Sequence, residues 1–204
     1  MPEVRVKICG ITRVDDALEA VRLGADALGF IFWPRSKRYC EPEVAREIIA
    51  RLPPFVTCVG VFVNQPKAEI RRAAKVAGLH AIQLSGHEPP RFCEGLDLPI
   101  IKAIQVESAQ SLDALSTYRA AAFLLDTPTA GFGGSGRTFD WRLARRTSKQ
   151  WQIILAGGLN PGNVRQAIRE VRPYGVDVAS GVESAPGIKD ARKMKRFISA
   201  AKEA

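Results

Sequence analysis

The segment VRVKICGITRVDDALEAVRLGADALGFIF, residues 4–32, decides the fold. It opens on a strand. Val4, Val6 and Ile8 share one parity and Arg5, Lys7 and Cys9 the other, and a strand sends alternate side chains to opposite faces. Gly10 breaks the run, and Thr12 reads as the N-cap of a helix over 13–23. ADALGFIF at 25–32 is a second apolar strand. Strand, helix and strand in this order form a βαβ unit with parallel strands.

The alternation continues to the last residue. WPRSKRYC leads into a helix over EPEVAREIIARL, and TCVGVFV at 57–63 is the third strand, followed by the helix PKAEIRRAAKVAG with Gly78 as its stop. AIQLS at 81–85 is the fourth strand, with a short helix near 89–95. PIIKAIQV at 99–106 is the fifth, with a helix over AQSLDALSTYR, and AAFLLD at 121–126 is the sixth. A Gly-rich loop and a helix from FDW to Thr147 precede the seventh strand, WQIILAGG at 151–158. The helix over PGNVRQAIREV takes Asn160 as its cap and Pro161 as its first residue. GVDVASG at 175–181 is the eighth strand, and KDARKMKRFISAAKEA the last helix. Eight βα units with no linker rich in Pro, Gly or Ser predict one α/β domain over residues 1–204, a (β/α)8 TIM barrel. An open doubly wound sheet is the alternative; the near-constant repeat length favours closure.

Composition bounds the function. The chain has 204 residues, 46% of them hydrophobic and 25% charged, as in ordinary globular proteins. Its four cysteines, Cys9, Cys40, Cys58 and Cys93, fit neither a CxxC metal pair nor a dense disulfide scaffold, and two histidines argue against a His-rich metal site. MPEVRVKICG lacks the apolar run of a signal peptide, and no segment is long and apolar enough for a membrane span. These features together predict a cytoplasmic protein with no membrane partner. The net charge of +9 suits a nucleic acid, a membrane surface or a small anionic substrate. The cations are scattered, densest at RRTSK (145–149) and KMKR (193–196), so a contiguous nucleic-acid face is not predicted.

In closed parallel barrels the chemistry gathers at the C-terminal ends of the strands. Cys9 ends the first strand one inward step above Lys7, and a nearby cation lowers a thiol's pKa, which predicts a thiolate base or nucleophile; packing as a small hydrophobe is the alternative. Asp126 ends the sixth strand and predicts an acid facing that base, with loop anchoring as the alternative. Arg38, beside Arg35 and Lys37, is placed to clamp a carboxylate. Gly157, Gly158, Ser180 and Gly181 end strands seven and eight, where barrels bind phosphate on exposed backbone N–H groups, and VESAPGIKD beyond them is predicted to hold a short extra helix. GFGGSG at 131–136 matches a dinucleotide pattern but lacks its context, with no acid after the next strand, so the loop reads as a lid. Lys7 and Asp177 are predicted to pair inside the barrel.

KICGIT (7–12), GADALGFIFWPRSKR (24–38), VGVF (59–62), LLDT (124–127), GGSGRTFDW (133–141), LAGGLNPGNV (155–164) and DVASGVESAPGIKD (177–190) appear in an order that resembles the phosphoribosylanthranilate isomerases of tryptophan biosynthesis. The resemblance implies a barrel without cofactor or metal, acting on a small phosphosugar as a monomer or homodimer. It implies an Amadori rearrangement with Cys9 as general base and Asp126 as general acid. It further implies Arg38 on the anthranilate carboxylate, and Gly157, Gly158, Ser180 and Gly181 on the phosphate. One departure stands out: the family usually reads QLHG after the fourth strand, whereas this chain has QLSG, with Ser85 in place of histidine. A related isomerase of the histidine pathway is the alternative enzyme, and it resembles a two-acid catalyst with aspartate where Cys9 stands.

Overall fold

A computed structural model describes residues 3–128 and 139–204. Eight parallel strands close on themselves in sequence order: β1 (Arg5–Cys9), β2 (Ala27–Ile31), β3 (Thr57–Phe62), β4 (Ala81–Leu84), β5 (Ile100–Gln105), β6 (Ala122–Asp126), β7 (Ile153–Leu155) and β8 (Gly175–Val178). The β1–β8 register sets Lys7 opposite Asp177 and closes the cylinder. Helices α1 (Val14–Arg22), α2 (Pro42–Ile49), α3 (Lys67–Ala77), α4 (Trp141–Thr147), α5 (Val164–Val171) and α6 (Ala191–Lys202) flank it. No helix among the described residues is long and apolar enough to cross a membrane.

Strand parity divides the interior in two. Val6, Ile8, Leu28, Phe30, Phe62 and Phe123 point outward into the layer between sheet and helices, where they join Phe197 of α6. Burying each such side chain stabilises the fold by about 1.5–3 kcal/mol. The opposite parity fills the cylinder with small or slim side chains, including Val59, Ala81, Ala122, Leu124 and Ala156. That slim filling leaves space at the C-terminal mouth.

Several local expectations are corrected. Arg13, not Thr12, flanks α1, because the Thr12 hydroxyl donates instead to the Gly187 carbonyl at 2.6 Å. α5 begins at Val164 rather than Pro161: Asn160 Oδ1 accepts from Gly162 N in a tight turn, and Asn163 is the cap residue. The segment after β5 is a 3-10 helix, Ala109–Thr117, opened by a Ser108–Ser111 capping box. The Ser116 and Thr117 hydroxyls there donate to carbonyls three residues back, in keeping with the tighter winding. VESAPGIKD holds no helix: a three-residue 3-10 turn, Ser180–Val182, precedes an antiparallel hairpin of β9 (Glu183–Ala185) and β10 (Ile188–Lys189), with Gly187 at φ +80° in its turn. The loop 131–136 lies outside the described residues.

Candidate active site

β1 stops at Cys9, just before Gly10. Gly10 has a φ of +76°, so the chain turns sharply there. A Cβ at Gly10 would meet the Arg38 side chain at 2.6 Å, so the bare Cα lets the arginine stem lie over it. Across the ladder, a Cβ at Gly29 would meet the Cys9 sulfur at 2.7 Å and Lys7 Nζ at 3.0 Å. Gly29 therefore makes room inside the barrel for both the thiol and the ammonium.

The predicted Lys7–Asp177 pair is present at 2.8 Å and buried. Burial works against the Lys7 charge, but Asp177 and Cys9 outweigh it, so the ammonium is held more tightly than an exposed lysine's. Cys9 corrects the expectation of a lowered pKa. Burial pushes the thiol above its ordinary range, and Asp177 adds to the push, while Lys7 and Lys189 pull it down without prevailing. A cation whose charge is already met by a carboxylate has little left to stabilise a thiolate.

Asp126 ends β6 at the same mouth. Burial raises its carboxyl to about 6, opposed by the hydrogen bond that Asp126 Oδ1 accepts from Thr127 N at 2.8 Å. The close approach of this turn to β7 explains Gly157: a Cβ there would meet Thr127 Oγ1 at 2.3 Å and Asp126 Oδ1 at 3.0 Å.

Cys9, Arg38, Asp126, Gly157, Gly158 and Ser180 all line one cavity at the C-terminal mouth. Gly157 and Gly158 have φ of +80° and +66°. Gly181 does not line it; a Cβ there would stand 2.0 Å from the Leu159 carbonyl oxygen, so this glycine lets the turns after β7 and β8 pack together. Arg38 is the one Lys or Arg among the described lining residues, while Arg35 and Lys37 point to solvent. Its guanidinium is already bound through Nε and Nη2 to Glu183, at 2.8 and 2.7 Å.

Glu183 and Lys189 escape the sequence reading, since both fall in the segment expected to form a helix. Lys189 is buried and donates to Glu183 Oε1 at 2.9 Å, to the Cys9 carbonyl at 2.5 Å and to the Ala179 carbonyl at 3.3 Å. Gln83 is also new. It is buried, it lines the cavity and it donates to Ser85 Oγ at 3.0 Å, while its Oε1 has no hydrogen-bond partner among the described residues. Ser85 faces the same cavity, so the position where the family usually has histidine is part of the mouth.

A closed parallel barrel whose mouth brings together a thiol, a carboxyl with a raised pKa and a diglycine turn belongs to the class of (β/α)8 barrels equipped for proton transfer. Comparison with known proteins particularises that class. Residues 6–200 match the family model for N-(5'-phosphoribosyl)anthranilate (PRA) isomerase. The N-(5'-phosphoribosyl)anthranilate isomerase of Pelobacter propionicus is 52% identical over 202 residues, covering 98% of this chain and 96% of its own. The crystal structure of the Thermotoga maritima phosphoribosyl anthranilate isomerase superposes with a TM-score of 0.94 at 50% identity, covering 98% of this chain and all of that one. A phosphoribosyl anthranilate isomerase in complex with reduced 1-(o-carboxyphenylamino)-1-deoxyribulose 5-phosphate does so with a TM-score of 0.90 at 46% identity, with 98% and 100% coverage. The chain belongs to the N-(5'-phosphoribosyl)anthranilate isomerase family.

Proposed function

We propose that this chain catalyses the Amadori rearrangement of N-(5'-phosphoribosyl)anthranilate to 1-(2-carboxyphenylamino)-1-deoxyribulose 5-phosphate, a step of tryptophan biosynthesis. The observation that carries the reading is that Cys9, from β1, and Asp126, from β6, line one cavity. Asp126 keeps its proton to about pH 6 and gives it to the ribose ring oxygen as the C1'–O bond breaks. The nitrogen lone pair forms the C=N bond of a protonated Schiff base. The iminium acidifies the C2' proton, which the Cys9 thiolate removes, leaving an enolamine that takes a proton at C1' and gives up its C2' hydroxyl proton to become the ketone.

Arg38 meets the anthranilate carboxylate with the guanidinium edge that Glu183 leaves open, and arginine forms paired hydrogen bonds with carboxylates readily. Gly157, Gly158 and Ser180 receive the phosphate at the ends of β7 and β8, with Gly181 supporting their turn.

The test follows the fluorescence of freshly made phosphoribosylanthranilate. Wild type consumes it, and Cys9→Ser and Asp126→Asn each lose at least about 10²-fold in kcat. Wild-type turnover in either variant removes that residue from the mechanism, and no turnover by the folded wild type overturns the reading.

A further inference from the structure

The mechanism above uses Cys9 and Arg38 but not the two buried charges between them. Glu183 and Lys189 stand on neighbouring strands of the hairpin after β8, and their side chains are 5% and 0% exposed. Buried charges are retained at a cost unless they are paired and hydrogen-bonded. Here each one is satisfied by a group of the candidate site. Glu183 Oε1 accepts from Arg38 Nε, Lys189 Nζ and Gly187 N, and Oε2 accepts from Arg38 Nη2. Lys189 Nζ donates to the Cys9 carbonyl and to the carbonyl of Ala179, which precedes Ser180.

These contacts close a ring. From Cys9 the chain passes to Gly10, whose bare Cα receives the Arg38 stem; Arg38 grips Glu183, Glu183 grips Lys189, and Lys189 returns to Cys9. A free arginine at a strand end samples many rotamers, and ordering it costs free energy on binding. In the ring, Nε and one Nη2 hydrogen are committed, which fixes the guanidinium plane and leaves Nη1 for a ligand. One carboxylate against two ammonium-type charges leaves the ring with a net positive charge at the mouth, as a bound carboxylate requires. The hairpin itself is anchored: Thr12 holds the Gly187 carbonyl, Lys193 Nζ holds the Glu183 carbonyl at 2.7 Å, and Asp16 holds Lys189 N at 3.0 Å.

We infer that Glu183 and Lys189 are positioning residues that act through Arg38 and Cys9: Glu183 presets Arg38 for the substrate carboxylate, and Lys189 locks that setting to the backbone of the general base and to the turn that receives the phosphate. The inference rests on the substrate assignment proposed above. It predicts a division of labour that a merely structural pair does not produce. Loss of Glu183 loosens the carboxylate clamp and is felt in KM. Loss of Lys189 frees the Cys9 carbonyl, removes a cation that favours the thiolate, and is felt in kcat and in the alkaline part of the pH profile.

Steady-state kinetics with phosphoribosylanthranilate test this. Glu183→Gln keeps the shape and removes the charge; its KM rises by about tenfold or more while kcat stays within about threefold. In an Arg38→Met background the same substitution leaves KM unchanged within about twofold, because the two residues act as one unit. Lys189→Met lowers kcat by about tenfold and moves the pH dependence of Cys9 alkylation by iodoacetamide upward. Should Glu183→Gln not fold, Glu183→Asp keeps the charge but withdraws it by one methylene, and its KM carries the same test. A folded Glu183 variant with wild-type KM, an undiminished KM effect in the Arg38→Met background, or an unmoved alkylation profile in Lys189→Met overturns the inference. Absence of turnover in wild type overturns the substrate assignment instead, so the two failures are told apart.

Discussion

Two buried lysine–carboxylate pairs of the same 2.8 Å length do different work in this barrel. Lys102 and Glu88, each 2% exposed in the side chain, sit under the turn that follows β4. Lys102 Nζ also donates to the carbonyls of Leu84 and Gly86, and Glu88 accepts from the backbone N–H groups of Asn64 and Gly86. All three ammonium donors have partners, and the carboxylate clasps two loops together. Asn64, at φ +55°, is held in the left-handed region by that clasp and by His87 N, which donates to its side chain. Lys7 and Asp177 instead face inward, where Asp177 lines the cavity and both bear on Cys9 and Asp126. A pair saturated by backbone is a rivet; a pair open to a cavity that holds titrating groups bears on their protonation.

Breaking the rivet has the largest expected effect. Lys102→Met strands a buried carboxylate and lowers unfolding free energy by about 3–5 kcal/mol, read by urea denaturation. The kcat of the molecules that remain folded stays near wild type. Lys7→Met reverses the pattern. Asp177 lines the cavity and its side chain is 10% exposed against 2% for Glu88, so the stability loss is smaller than for Lys102→Met in the same titration. Without Lys7, the Asp177 charge raises the pKa of the Cys9 thiol against Lys189 alone, and raises it more than that of Asp126, on which Lys7 bears least, so the thiolate fraction and with it kcat at neutral pH fall by about 10–10²-fold. Equal stability losses in the two variants, or a kcat loss confined to Lys102→Met, break the contrast. The smallest effect belongs to Ser85→His, which restores the family's usual residue beside Gln83. It touches neither Cys9 nor Asp126, and kcat/KM changes by less than about threefold. A larger change makes Ser85 part of the reacting constellation.

The contrast also shows what the sequence made legible. Strand parity alone put Lys7 and Cys9 on the inner face and Val6 and Ile8 on the outer one, and the repeated βα rhythm implied the closed cylinder and its functional end. Gly10 was legible as a break after the first strand, but its reason, and that of Gly29 inside β2, lie in side chains brought close only by folding. Glu183 and Lys189 were opaque for the same reason. Glu183 meets Arg38 across 145 positions and Lys189 meets Cys9 across 180, and pairing at such separations leaves no periodic trace. The rise of the Cys9 pKa was missed because adjacency to Lys7 is visible in the chain, whereas Asp177's claim on that lysine and the dryness of the site are not.

The central claim is that a protonated Asp126 and an ionised Cys9 act together, and the pH dependence of kcat/KM addresses it most directly. The active form needs the acid protonated although its pKa, about 6, lies below that of the raised thiol. As pH rises toward 6 the rate climbs about tenfold per unit as thiolate accumulates. Above 6 the gain in thiolate is offset by loss of the Asp126 proton, giving a plateau that falls only beyond the thiol's own pKa. Asp126→Asn keeps an un-ionised side chain and has no such offset, so its slower rate continues to climb through pH 6. The substrate's own phosphate titrates equally in both proteins, so the difference between the two profiles reports Asp126. A wild-type bend near pH 6 that disappears in Asp126→Asn is the predicted result. A bend that persists unchanged in the variant, or a wild-type profile flat from about pH 5 to 9, contradicts the account.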